Sequence, residues 1–479
     1  MPFLFLLGKV SYNKRQNIVK IWEHIMTKQL LAKQIIDLTV TSLGSSGEGV
    51  GKVDGFAVFA VGALPGETVR VKLNQVKKTY ATGQVIKVVT TSKERVAPLC
   101  PVYKECGGCQ LQHLSYEGQL KAKHQQVVDA LERIGHFHDI KVLPTIGDEI
   151  PWHYRNKMQV PVAMEGKKIE IGCFAQATHK IIDVEECFIQ KEKNNVIAAV
   201  VRKWMKEYKI PGYMEDKQRG IVRHIMGRVG VRTGEVMVVL VTATPTIPHA
   251  KELVYMLQKE VPGFKTLVQN INTRHTNVIL GEKNKTIFGP GSIKDKLGDL
   301  SFNISAQSFF QVNSEQAQKL YDTALEYAKL TGKETVVDVY CGTGTITLFL
   351  AQKAKNVFGI EIVASAIKDA KINAKENKIA NANFILGDAA KELPNLLGAG
   401  IKPDVIVLDP PRAGCEVRVL EAIASVKPKR IVYVSCNPAT LARDLVVLTK
   451  AKYKITKVQP VDMFPQTAHV ETVVLMSRV

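Results

Sequence analysis

No stretch of this chain approaches the ~18 consecutive apolar residues that a membrane-spanning helix requires. Its short apolar patch Phe3 to Leu7 has no cleavage region after it. A membrane-spanning class is excluded, and a cytoplasmic location is expected. Acidic side chains are scarce beside basic ones: 45 Asp and Glu against 65 Lys and Arg leave a formal charge of +20. Such a field draws phosphate polymers more than neutral small molecules, so nucleic acid is the leading partner, although lysine-rich cytosolic proteins without one also exist. Cysteine is sparse, eight in 479 residues, and unevenly placed. Cys100, Cys106 and Cys109 cluster, Cys187 follows alone, and Cys173, Cys341, Cys415 and Cys436 are scattered. In a cytosolic chain such a cluster points to a metal before disulfides.

What is present is ordinary for a folded protein. The composition, 46% hydrophobic and 23% charged, argues against disorder or a fibrous repeat. The length exceeds the roughly 250 to 300 residues at which one core stops growing, so two or three domains are expected. From about Ile35 to Val88 the text is β-rich and broken by glycine, and Thr68 to Leu73 and Gly83 to Val89 alternate apolar with polar residues. That is the period of half-buried strands, and a small β-barrel fits. Lys72, Lys77, Lys78 and Lys87 would face RNA phosphates on one reading and only water on the other.

Leu114 to Arg133 reads as an amphipathic helix, and mixed strands and helices follow to about residue 300. From Glu334 the rhythm changes. Short apolar strands at Thr335 to Val339, Asn356 to Ile360, Ala382 to Leu386, Val405 to Leu408 and Arg430 to Val434 alternate with helices. This is the signature of a mostly parallel, doubly wound sheet. The expected architecture is a multidomain α/β chain: an extension at 1–28, a barrel at 29–90, a central α+β domain with the clustered cysteines at 91–305, and a Rossmann-like domain at 306–479. Met26 precedes the first patterned segment, so 1–25 read either as an upstream extension or as part of the fold.

Asp338-Val-Tyr-Cys-Gly-Thr-Gly-Thr345 closes the first strand of that sheet and opens a helix, where Gly342 and Gly344 let the backbone turn tightly against a ligand. Glu361 ends the second strand, where a carboxylate can accept hydrogen bonds from both ribose hydroxyls, and Asp388 ends the third, near where an adenine would lie. The third glycine of a dinucleotide fingerprint is missing, and the fourth strand ends in Asp409-Pro-Pro-Arg412. The fifth strand runs into Ser435-Cys436-Asn437-Pro438 and a helix, so Cys436 stands at a strand's carboxyl end beside a helix N-terminus. The helix dipole and free backbone N–H groups there are expected to favour the thiolate. A thiolate adding to carbon 6 of uracil makes carbon 5 nucleophilic, and a base such as Glu471 must later remove the carbon 5 proton. The bland alternatives are an inert cysteine and an exposed glutamate on a final strand.

Four motifs occur in order: Ser308-Phe-Phe-Gln-Val-Asn313, Asp409-Pro-Pro-Arg-Ala-Gly414, Ser435-Cys-Asn-Pro-Ala-Thr-Leu-Ala-Arg-Asp444 and Phe464-Pro-Gln-Thr-Ala-His-Val-Glu471. Together they resemble the RNA uracil-5-methyltransferase family, within the class I S-adenosylmethionine-dependent methyltransferases. The resemblance implies S-adenosylmethionine at Gln311, Tyr340, Glu361 and Asp409, Cys436 as nucleophile and Glu471 as base. Tyr340 stands where some relatives carry Phe. The first β-rich segment looks like a TRAM domain, and Cys100, Cys106, Cys109 and Cys187 resemble the family's [4Fe–4S] ligands. On spacing alone zinc fits the four equally well. Both features resemble the 23S rRNA branch, since many tRNA-specific relatives lack them, and imply a monomer acting on 23S rRNA. Competing readings are a tRNA uracil-5-methyltransferase, an adenine amino-methyltransferase that needs no thiolate, and a non-catalytic RNA-binding assembly factor.

Overall fold

The computed structural model describes residues 30–479 apart from 167 and 276, so the extension expected at 1–28 lies outside the described residues. Five strands, β1 (Ile35–Leu43), β2 (Gly49–Val53), β3 (Phe56–Val61), β4 (Thr68–Val76) and β5 (Tyr80–Thr90), close into a barrel in the order β1-β2-β3-β5-β4. Alternation turns Leu38, Val40, Val58, Ala60, Val69, Val71, Leu73 and Ala81 inward as its core. A Cβ on Gly51 would lie 2.2 Å from the Thr39 carbonyl oxygen, so the close approach of strands there requires glycine. Lys72, Lys77, Lys78 and Lys87 are all exposed, and Lys77 sits 5.2 Å over the ring of Tyr80.

Residues 96–479 form a second compact unit. It opens with α1 (Tyr116–Arg133), N-capped by Ser115, whose hydroxyl accepts from Gly118 N. Then come β6 (Lys157–Glu165), β7 (Lys168–Phe174), β8 (Ile181–Asp183), α2 (Glu192–Glu207), β9 (Val222–Val229), β10 (Val236–Thr242), α3 (Ala250–Glu260), β11 (Phe264–Ile271) and β12 (Lys283–Phe288). The strands make a seven-stranded sheet, β12-β11-β10-β9-β6-β7-β8, in which only β10 and β11 pair in parallel. One face packs under α2 and α3, with Trp204 and Leu257 fully buried. From the other face Met226, Met237, Val239 and Val268 enter a core shared with the hairpin β13 (Ser292–Leu297) and β14 (Leu300–Ser305) and with α4 (Ser314–Ala328). That shared core runs on into the C-terminal sheet, so the boundary expected between 305 and 306 falls inside one compact unit.

The C-terminal sheet follows the expected rhythm. Its elements are β15 (Thr335–Val339), α5 (Thr345–Ala351), β16 (Asn356–Glu361), α6 (Ala364–Glu376), β17 (Ala382–Leu386), α7 (Ala389–Gly398), β18 (Val405–Leu408), α8 (Val417–Val426), β19 (Arg430–Ser435), α9 (Pro438–Lys450), β20 (Tyr453–Val461) and β21 (Glu471–Arg478). The order is β17-β16-β15-β18-β19-β21-β20, parallel except for β21, which is antiparallel to both neighbours. Consecutive residues alternate between two cores: Val405, Val407, Val432 and Val434 join one, Ile406, Leu408, Ile431 and Tyr433 the other. Burial on both faces explains why these strands read as continuous apolar runs. Val127 and Leu131 of α1 join the second core. Among the described residues no helix is long and apolar enough to cross a membrane.

Candidate functional site

The parallel strands end on one edge, and the sequence-selected acids gather along it. At the end of β15, Asp338 is fully buried and accepts 2.5 Å from Thr347 Oγ1 of α5. Burial, with the charges of Asp409 and Glu361, lifts it to about 7. Tyr340 follows with φ +66, then Gly342 and Gly344 with φ +55 and +81. Nothing lies within 4 Å of where a Gly342 Cβ would stand, which leaves room for a ligand beside the turn. Glu361 is fixed by two backbone donors, Gly342 N at 3.1 Å and Val363 N at 2.9 Å. This couples the glycine turn to the ribose-type acid and leaves lone pairs free. Asp388 caps α7 through Ala390 N and pairs with Arg418 at 2.8 Å.

Cys436 sits between β19 and α9, half-buried. Asn437 caps α9, accepting from Ala439 N, and its amide donates 3.2 Å to the Arg412 carbonyl, tying the cysteine turn to the Asp409-Pro-Pro-Arg412 turn. Pro438 opens the helix where a backbone N–H would be unpaired anyway. Glu471, the first residue of β21, is buried. Burial and the charge of Asp409 raise its carboxyl well above the ordinary range, and burial raises Asp409 likewise. The thiolate expected at Cys436 is not what this environment favours. Burial and the carboxyls of Glu471 and Asp409 push the thiol up to about 11, outweighing Arg412 and a backbone hydrogen bond. The same influences place Cys436, Asp409, Arg412 and Glu471 within electrostatic reach of one another. Cys341 and Cys415 are buried and also raised, and Cys415 N donates to Asp444 Oδ2, which marks it as a packing residue.

Gln311 meets this group through Tyr321, a fully enclosed residue of α4. Its hydroxyl is raised by burial, then by the charges of Asp409, Glu471 and Asp338, with the Gln311 side chain acting the other way. Tyr321 joins the cofactor edge to the thiol–carboxyl group, and no sequence motif marked it. At the rim Arg412 Nη2 approaches His469 Nε2 at 3.3 Å. His469 is pressed down to about 4 by burial and by Arg412, Lys123 and Arg155.

Cys100, Cys106, Cys109 and Cys187 line one cavity of about 360 Å³. Cys173, which the sequence left among the scattered cysteines, lines it too, a correction to that reading. It enters because Cys106 bridges Ala175 in antiparallel fashion and Gly107 N donates 3.0 Å to the Phe174 carbonyl, laying the cysteine loop along the end of β7. Cys106 is drawn down by the Cys173 thiol, and burial pushes Cys109 up to about 12 with Cys187, Cys106 and Cys100 adding to it. Arg155 and Lys157 also line the cavity. Among the described residues no three His, Cys, Asp or Glu side chains stand ready to hold a single metal ion. The donors nonetheless fit a larger anionic group: soft sulfurs around a wide space with cationic walls.

Comparisons with known proteins bear on the family of the chain. Residues 115–479 match the family model described as tRNA (Uracil-5-)-methyltransferase, and residues 31–86 match the TRAM domain. An RNA methyltransferase of Clostridium acetobutylicum is 50% identical over 92% of this chain and 97% of its own length. One from Halalkalibacterium halodurans is 51% identical over 92% of this chain and 96% of its own. Among solved structures, the Pyrococcus abyssi tRNA (uracil-54, C5)-methyltransferase in complex with S-adenosyl-L-homocysteine aligns with a TM-score of 0.74 and 29% identity, covering 92% of this chain and 99% of that one.

Proposed function

The chain belongs to the tRNA (uracil-5-)-methyltransferase family, RNA methyltransferases that use S-adenosylmethionine, and from that premise we propose that it methylates carbon 5 of a specific uridine in 23S rRNA through a covalent bond between Cys436 and carbon 6. The observation that carries the reading is the meeting of Cys436, Glu471 and Asp409 at the carboxyl edge of the sheet. Bound S-adenosylmethionine supplies an electrophilic methyl group on a sulfonium. Cys436 adds as thiolate to carbon 6, and the displaced π electrons make carbon 5 nucleophilic. After transfer, the Glu471 carboxylate takes the carbon 5 proton, the 5,6 double bond re-forms, and Cys436 leaves as thiolate. Gln311, Tyr340, Glu361 and Asp409 hold the cofactor. Replacing Glu361 with alanine should weaken S-adenosylmethionine binding by about 10- to 100-fold, as expected for one or two lost charge-assisted hydrogen bonds, measured by calorimetric titration.

Cys100, Cys106, Cys109 and Cys187 hold a [4Fe–4S] cluster in this reading. A zinc ion held by the same thiolates is the alternative occupant. Metal and acid-labile sulfide analysis of anaerobically purified protein should give about four iron atoms per chain, whereas one zinc and no sulfide would replace the cluster. RNA would be gathered by the net charge of +20 and the exposed barrel lysines.

A tRNA substrate is the second reading, favoured by the likeness to the Pyrococcus abyssi enzyme. Mapping 5-methyluridine in 23S rRNA and in tRNA from cells with and without this gene separates them. Loss of one rRNA position supports the proposal, and loss confined to tRNA moves the substrate.

A further inference from the structure

The loop joining β20 to β21 delivers Glu471, and it is held from the cysteine-bearing segment. The Gln466 carbonyl accepts from Gln110 N at 3.0 Å and Leu111 N at 2.9 Å, the first two residues after Cys109. Gln119 of α1 clasps the same residue twice: its Nε2 donates to Gln466 Oε1 at 3.0 Å, and its Oε1 accepts from Gln466 N at 2.9 Å. Gln466 is 2% exposed and adopts φ +70, a conformation that a residue with a side chain keeps only when its surroundings impose it.

Two further contacts run the same way. Phe464, at the start of the loop, lines the cysteine cavity, and so does Val312, the neighbour of Gln311. Behind them, Lys123 of α1 forms a buried ion pair with Asp462 at 2.5 Å and donates 3.1 Å to the Phe464 carbonyl. Tyr154 OH donates 3.0 Å to the Pro465 carbonyl. The cavity wall and the catalytic loop are therefore one packed and hydrogen-bonded body, although methyl transfer asks for no electron from the cysteine centre.

We infer that the cysteine centre regulates turnover by positioning Glu471, with Gln466 as the positioning residue between them. Occupation of the centre fixes the Cys106–Cys109 loop, that loop fixes the amides of Gln110 and Leu111, and these fix the turn from which β21 starts. Emptying the centre releases the turn and misplaces the base while the cofactor edge at Glu361 is untouched. The inference rests on Glu471 being the base that frees Cys436.

The test uses the full-length, metal-loaded protein and a Gln466→Gly variant, which keeps the left-handed backbone and its bond from Gln466 N to Gln119 but loses the side-chain half of the clasp, from Gln119 Nε2 to Gln466 Oε1. Expected are unchanged metal content, a KM for S-adenosylmethionine within about twofold, and a kcat lowered about 30-fold with covalent RNA–protein complex accumulating during turnover, because a displaced base slows elimination. In parallel, hydrogen exchange of the 464–471 peptide should quicken at least about tenfold when a chelator strips the metal. A drop in activity without accumulated complex, or unchanged exchange at 464–471 after stripping, overturns the inference. If stripping unfolds the chain, the loaded variant alone decides. Failure of the underlying reading looks different, since Cys436→Ala would then still methylate.

Discussion

Replacing Cys436 with alanine should lower kcat/KM for methyl transfer by at least about 10⁴-fold, equivalent to ~5.5 kcal/mol of transition-state stabilisation, with S-adenosylmethionine binding unchanged. Without the thiolate the pyrimidine keeps an unactivated carbon 5, and nothing else at the edge supplies a soft nucleophile. Cys341 and Cys415 are buried, so neither can substitute. Cys415→Ala is the control: it should cost some thermal stability through lost packing and leave methyl transfer within a fewfold of wild type. An adenine amino-methyltransferase would keep most of its activity in Cys436→Ala. Single-turnover transfer of labelled methyl groups to unmodified RNA measures the difference.

Changing Glu471 to glutamine should lower kcat by about 10³-fold and leave the RNA attached to the protein, because methyl transfer precedes the proton removal that this variant cannot perform. The trapped species should carry the methyl group and resist denaturing electrophoresis. The pH dependence follows from the same carboxyl. Glu471 lies at about 8 in the folded protein, and only its ionised form takes a proton. In wild type kcat, where proton removal limits turnover, should therefore climb from pH 6 to 8, whereas kcat/KM, which ends at methyl transfer, should follow the Cys436 thiol, at about 11, and rise across the whole range. Stability runs the other way. A carboxyl raised from 4.5 to about 8 on folding stabilises the fold fully below about pH 4.5, and that contribution is lost as pH rises through 8. Glu471→Gln should therefore melt several degrees above wild type at pH 9 and close to it at pH 5, a difference that differential scanning calorimetry resolves.

The sheet was legible because its strands are buried on both faces. Val405 to Leu408 reads as an unbroken apolar run and Thr335 to Val339 as one interrupted only at Thr335 and Asp338, and the structure forms strands over those same residues. The acids at their ends and the cysteine before Asn437-Pro438 were equally legible, since a strand end followed by a helix cap has a local signature. Contacts between distant segments were not. Cys173 lies in a strand whose pattern says nothing of Cys106, and it reaches the cysteine cavity only through an antiparallel bridge between Cys106 and Ala175. Tyr321 belongs to no motif, and its hydroxyl matters only through the tertiary fold, which brings it to the charges of Asp409, Glu471 and Asp338. The ionisation of Cys436 was misjudged for a similar reason. The helix end beside it is local and visible, whereas what raises the thiol is its burial in the tertiary fold, then the carboxyls of Glu471 and Asp409, brought from two other strands.

The most direct test of the covalent route uses RNA in which the target uridine is replaced by 5-fluorouridine. Carbon 5 then bears fluorine where Glu471 would remove a proton, and elimination stops after methyl transfer. Incubated with S-adenosylmethionine, the wild-type protein should form a stoichiometric complex whose mass equals protein plus RNA plus one methyl group, with the nucleotide attached at Cys436 on peptide mapping. A methylated RNA released without any covalent complex, or a complex mapped to a residue other than Cys436, would contradict it.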